Sequence, residues 1–166
     1  MVAGGPPDLR GPPVRKKGGP AMPLSLGPMF PITYRLSPPG LEVQEGILWL
    51  RFVERFGGNY DGFYFNVRIG EGMPPPEGLV EPYISMATQV SQKRIDAVGV
   101  KPDFWEIFEV RERASPGALG QLKMYESLWL SDPPDARPVR LTLISDRVDY
   151  DVITAAKAQN IVVILV

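Results

Sequence analysis

The chain has 166 residues, 44% of them apolar, with seven Phe, six Tyr and three Trp and a formal net charge of −1. That length suits one domain with a real core, and the aromatic content argues for a folded protein. A near-neutral balance argues against a nucleic-acid or membrane partner recruited by whole-molecule charge, although a local groove stays compatible with DNA. There is no Cys and no His, which excludes disulfide scaffolds, zinc fingers, Cys nucleophiles and Ser-His-Asp triads. Chemistry here would have to use carboxylates, Lys, Arg, Tyr or Ser. No run of 18 apolar residues occurs, so no membrane span is expected. The basic N-terminus lacks an apolar stretch behind it, so no secretory signal is expected either.

Residues 1–40 hold ten of the nineteen prolines and seven of the seventeen glycines, with the basic run Arg15-Lys16-Lys17. Proline removes backbone donors and glycine carries a high ordering entropy, so this stretch is expected as an extended arm that forms no helix or sheet by itself. It is either a disordered leader or a strap that orders on a partner. A patterned domain over residues 41–166 follows. Residues 41–56 (LEVQEGILWLRFVERF) predict a helix stopped by Gly57-Gly58. In residues 61–69, Phe63, Phe65, Val67 and Ile69 alternate with Tyr64, Asn66 and Arg68, predicting a half-buried strand. The proline-rich 73–78 predict a loop, and 83–90 a further strand.

Strands are predicted over 94–100 and 105–112, joined by a turn at Lys101, Pro102 and Asp103. A helix over 117–130, a strand over 137–144, a helix over 150–158 and a fully buried strand over 161–166 (IVVILV) complete the chain. That ending implies a parallel strand pair covered by a helix. The fold class is therefore α/β, a mixed central sheet flanked by helices. Arg68-Ile69-Gly70-Glu71-Gly72 lacks the length and following helix of a phosphate-binding loop, and Asp132-Pro133-Pro134-Asp135 predicts a turn.

The chemistry-bearing residues fall on the paired strands and the helices around them. Asp96 sits inside an otherwise apolar strand, and Glu109 and Arg111, two apart, share one face of the next. A hairpin can set Asp96 beside Glu109, and two carboxylates with a backbone carbonyl suit Mg²⁺ or Mn²⁺. A metal held there could polarise a phosphate and generate hydroxide. For any single Asp or Glu, the ordinary reading is a solvated surface charge.

On the first helix, Gln44, Arg51, Glu54 and Arg55 fall on one side, while Glu45 lies between Phe52 and Phe56 on the apolar face. A carboxylate facing a core is costly unless paired or metal-bound. The alternative is that Glu45 reaches water near the helix start and favours the dipole. Gln121 and Tyr125, four apart, share a face of the next helix.

Asp96, then Glu109-Val110-Arg111, then Gln121-Leu122-Lys123-Met124-Tyr125 together resemble the PD-(D/E)XK nuclease superfamily, in its Gln-x-x-x-Tyr branch. The resemblance spans roughly residues 41–166. It implies a restriction-endonuclease-like core: a helix, strands bearing Asp and Glu-x-Lys, then helix, strand, helix and strand. It further implies Asp96, Glu109 and Glu45 as metal ligands for Mg²⁺ or Mn²⁺, with Gln121 and Tyr125 organising the site or touching DNA. Phe108 to Ala114, continuing through Gly120-Gln121-Leu122, also resembles small proteins encoded by tailed phages.

The departure is Arg111, where the family has Lys. Arg is planar and does not give up its proton, though it could stabilise a charged transition state; Lys123 is a candidate substitute. Three readings stay open. The preferred one is a structural or assembly protein on a catalytically degenerate nuclease fold. It would be a phage head-tail, neck or tail component, located in the virion or host cytoplasm, with the arm docked on other protein subunits. The others are an active metal-dependent DNA phosphodiesterase and a DNA-binding module that lost catalysis.

Overall fold

The computed structural model describes residues 24–166. The first part of the expected arm, with Arg15-Lys16-Lys17, lies outside the described residues. Helix α1 (Val43–Phe56) runs through a short 3-10 turn (Gly57–Asn59) into β1 (Gly62–Ile69). Then come α2 (Tyr83–Ser91), β2 (Lys93–Val100), β3 (Trp105–Val110), α3 (Pro116–Ser131), β4 (Val139–Ser145), α4 (Tyr150–Ala158) and β5 (Ile161–Leu165). The five strands form one sheet in the order β1-β2-β3-β4-β5. β1, β2 and β3 pair antiparallel, while β3, β4 and β5 pair parallel through the crossovers α3 and α4. This is the mixed α/β architecture expected from the sequence, and from α1 onward only α2 departs from the anticipated element order. No helix among the described residues is long and apolar enough to cross a membrane.

Alternating side chains of β3 sort the core into two layers. Trp105 and Ile107 join Leu119, Leu122 and Trp129 of α3 and Val152 and Ala156 of α4. Phe108 and Val110 join Leu48, Trp49, Phe52 and Val53 of α1. Helix α1 therefore covers one face, and α3 and α4 the other. Trp49 is the anchor of its face, meeting Phe63, Phe65 and Phe108 edge-on at centroid distances of 5.0, 5.3 and 5.3 Å, a favoured aromatic geometry. The helices start where the sequence caps them. Ser115 Oγ accepts from Ala118 N with Pro116 in the first turn, and Asp149 Oδ1 accepts from Val152 N.

Residues 24–40 lie along the outer edge of β1. Ser25 bridges Arg68, and Phe30 exchanges backbone hydrogen bonds of 2.7 and 2.9 Å with Phe63. Phe30, Ile32 and Tyr34 pack on the α1 layer. This edge seals β1, which explains why residues 83–90 are helical and not the predicted strand. β1 pairs directly with β2 on its inner side, from Ile69↔Lys93 to Gly62↔Val100. The chain between them finds no open ladder on either side of β1. Instead Glu81 accepts from Ser85 N and Oγ at the start of α2, and none of its residues is buried.

The strand over 161–166 also differs from expectation. It is parallel to β4 as anticipated, but it is the edge of the sheet with one neighbour, so Val162 and Leu165 stay about half exposed. An uninterrupted apolar run predicted full burial; a missing second neighbour decided otherwise.

Candidate active site: a carboxylate cluster closed by Arg111

The site forms where β1 and β2 change faces together. Phe63 and Phe65 belong to the α1 layer, but Val67 and Ile69 belong to the α3 layer. On β2, Ala97 faces α1 and Ile95 faces α3. The switch falls at Asn66 and Asp96, which drop out of the register between Phe65↔Ala97 and Val67↔Ile95. Asn66 reverses the strand through a left-handed backbone, φ 53°, which Asn tolerates better than most residues. Gly40 sits over it with φ +89°, and a Cβ there would approach the Asn66 side chain to 2.9 Å. Only glycine satisfies both demands.

Release from the ladder frees Asp96 for other work. The β2–β3 pairing stops at Ala97↔Phe108, and beyond it Asp96 Oδ2 accepts from Val110 N at 2.9 Å. A side-chain carboxylate thus replaces a strand carbonyl. Continuing the same register would set Asp96 opposite Glu109, as the hairpin reading anticipated.

Arg111, just past the end of β3, reaches every acidic residue of the cluster. Its Nη1 donates to Glu45 Oε1 at 2.5 Å and lies 3.9 Å from Asp96 Oδ2. Its Nη2 pairs with Glu109 Oε1 and donates weakly to Gln121 Oε1 at 3.4 Å. Glu45 is therefore paired and does not fray into water; its other oxygen accepts from Glu42 N at 3.1 Å, holding the first turn of α1. Glu109 is fully buried, and neither of its carboxylate oxygens has a hydrogen bond; the guanidinium acts on it as a nearby charge. Burial, with the Asp96 and Glu45 charges, pushes the Glu109 carboxyl up to about 8 against the pull of Arg111. Burial likewise pushes Asp96 up to about 6, opposed by its Val110 hydrogen bond and by Arg111.

Of the residues anticipated from sequence, Glu45, Asp96, Glu109, Arg111 and Gln121 come together. Tyr125 lines the cluster without bonding to it: its hydroxyl donates to the Arg94 carbonyl at 2.8 Å, and burial and the two carboxylates hold its pKa above the usual phenol range. Lys123 is a correction. It forms an ion pair with Glu126 on its own helix and has no contact with the cluster, because a position two beyond Gln121 turns away from the face that Gln121 and Tyr125 share.

The residues as placed do not fit Mg²⁺ or Mn²⁺. Among the described residues no group of three or more His, Cys, Asp and Glu is arranged to hold a metal ion. The carboxylates point at a guanidinium, and a fixed cation stands between oxygens that a metal would need to itself.

One buried polar group was missed in the sequence. Glu106 of β3 accepts from Tyr60 Oη at 2.8 Å and from Thr142 Oγ1 at 2.5 Å under the α1 layer. A carboxylate between Trp105 and Ile107 in the strand WEIFEV was the available signal. The Asp132–Asp135 segment is a turn as expected, with Asp135 accepting from Trp105 Nε1 and pairing with Arg137.

No protein-family model and no curated protein sequence matches this chain. A solved structure similar to it is the crystal structure of a repair endonuclease from Pyrococcus abyssi, at 16% identity and a TM-score of 0.45. The likeness covers 76% of this chain and 47% of that one, so this chain spans about half of that protein's length.

Proposed function

We propose that this chain is a catalytically silent relative of the PD-(D/E)XK nucleases, in which Arg111 fills the position of the catalytic cation, and that it serves as a structural or assembly protein. The observation that carries the reading is the Arg111 guanidinium, in contact with Glu45, Asp96 and Glu109 at once. An internal cation among three carboxylates offsets one of their charges and takes up the space between them, which weakens recruitment of a divalent ion. It also cannot act as the base that a lysine of depressed pKa can. The resemblance of Phe108 to Ala114 and of Gly120-Gln121-Leu122 to small tailed-phage proteins supports a virion as the setting of that role. Within the described part of the arm, Ser25 and Phe30 bridge the domain's own β1 edge.

One observation favours a second reading, an active metal-dependent DNA phosphodiesterase. The Glu109 carboxyl is fully buried, with Oε2 unpartnered and Oε1 held only by Arg111, a costly arrangement of the kind retained at functional sites. The test is cleavage of plasmid and linear DNA with Mg²⁺ or Mn²⁺ by wild type, Asp96→Ala and Arg111→Lys. The proposal expects no cutting by wild type. Cutting by wild type that Asp96→Ala abolishes would establish the second reading, and cutting gained in Arg111→Lys would show that Arg111 alone silences the site.

A further inference from the structure

We propose that β5 is a self-association edge: two copies of this chain pair through antiparallel β5 strands, extending their sheets into one. The inference stands apart from the chemistry of the carboxylate cluster and names a partner, a second copy, for the assembly role.

The two edges of the sheet are treated differently. Residues 24–40 cover β1 through the Ser25 and Phe30 bridges, whereas no strand lies beside the outer edge of β5 among the described residues. Val166 N donates to Ser145 O. Because strand residues alternate their hydrogen-bonding side, Val162, Ile164 and Val166 turn their backbone groups to β4, and Ile161, Val163 and Leu165 turn theirs outward. The Leu165 carbonyl meets Arg55 Nη1 at a long 3.5 Å, a contact weak enough to yield to a backbone donor. Monomeric proteins guard such an edge with Lys, Pro or a bulge, and Ile161–Leu165 (IVVIL) has none of them.

The edge is complementary to itself. With a two-fold axis at Val163, that residue faces the partner's Val163 and Ile161 faces the partner's Leu165, both as hydrogen-bonded pairs of outward-turned groups. Val162, 52% exposed, then lies against the partner's Ile164, an apolar cross-strand pair.

Helix α4 packs over β5 at the rim of the sheet, and Ile153, 40% exposed, lines a groove with Ile161, Val163 and Leu165. The axis sets the two α4 helices antiparallel. Lys157, at the C-terminal end and in no ion pair among the described residues, then approaches the acidic start of the partner's helix, where this chain has Asp149 and Asp151. Opposite charges and opposed helix ends attract in that arrangement.

The experiment is the solution mass of the full chain by light scattering at rising concentration, with amide hydrogen exchange. Wild type is compared with Val162→Lys, a charge at an exposed position, and Val163→Pro, which deletes one outward donor and leaves the β4 ladder whole. Circular dichroism confirms that both variants are folded. We expect wild type at twice the 18.4 kDa chain mass, both variants at the mass of one chain, and the Val163 and Leu165 amides exchanging on the order of tenfold slower in the pair. A wild type that stays at the mass of one chain overturns the proposal. So does association that both folded variants retain, or association without protection of those two amides.

Discussion

Strand β3 carries two buried glutamates that face opposite layers of the protein, and their surroundings differ in kind. Glu106 sits under α1 with each oxygen accepting from a neutral hydroxyl, Tyr60 on one and Thr142 on the other. Glu109 sits under α3 with neither oxygen hydrogen-bonded, next to Asp96 and dependent on the charge of Arg111. The first is a closed structural group whose demands are met locally. The second is held by one cation, Arg111 two residues on, inside a cluster of like charges, an arrangement that is weak evidence of a contribution to stability. The contrast separates a packed polar contact from a charged cluster that depends on one side chain.

The largest break in that contrast comes from Arg111→Ala. It leaves Glu45, Asp96 and Glu109 without their shared cation, and loss of one partner from a buried ion pair costs roughly 3–5 kcal/mol. Urea denaturation in the presence of EDTA measures it, and the midpoint should fall without a change in slope.

The next test is pH. Glu109 and Asp96 are raised to about 8 and about 6, so the folded chain holds protons that the unfolded chain has released. That stabilisation is complete below the ordinary carboxylate range and disappears as pH rises through about 8, by on the order of a few kcal/mol. Thermal melts from pH 5 to 8.5 in EDTA should show the decline, and Glu109→Gln should flatten it.

Tyr60→Phe probes the other glutamate. It leaves one Glu106 oxygen without its donor, at about 1–3 kcal/mol, measured by urea denaturation. Lys123→Ala should be smallest. Its ion pair with Glu126 is partly exposed, so its loss should shift stability by less than about 1 kcal/mol and leave the Arg111 contacts untouched.

Much of this was legible in the chain. Hydrophobic periodicity gave α1, α3, α4 and the five strands to within two or three residues, because each has one consistently apolar face. Asp96 and Glu109 were readable as neighbours because a hairpin can set them side by side; Gln121 joined them only through the resemblance to the PD-(D/E)XK nucleases. What stayed hidden depended on neighbours distant in sequence. The alternation of Phe63, Phe65, Val67 and Ile69 predicted a single buried face, yet the strand rotates at Asn66 and feeds two layers. Burial keeps its period through that rotation, so the pattern alone carried no trace of it. Residues 83–90 failed as a strand because both sides of β1 were already taken. Ile161–Leu165 failed as a buried strand because nothing in an apolar run tells how many neighbours the strand has. Arg111 was recognised as a substitution, but its reach to Glu45 on α1 required the folded sheet.

The central claim is that Arg111 occupies the carboxylate cluster in place of a divalent cation. Calorimetric titration of Mn²⁺ into wild type, Asp96→Ala, Arg111→Ala and the double variant Arg111→Ala/Asp96→Ala tests it most directly. The account predicts no binding by wild type, binding gained by Arg111→Ala, and loss of that binding in the double variant. Mn²⁺ binding by wild type that Asp96→Ala removes would contradict it.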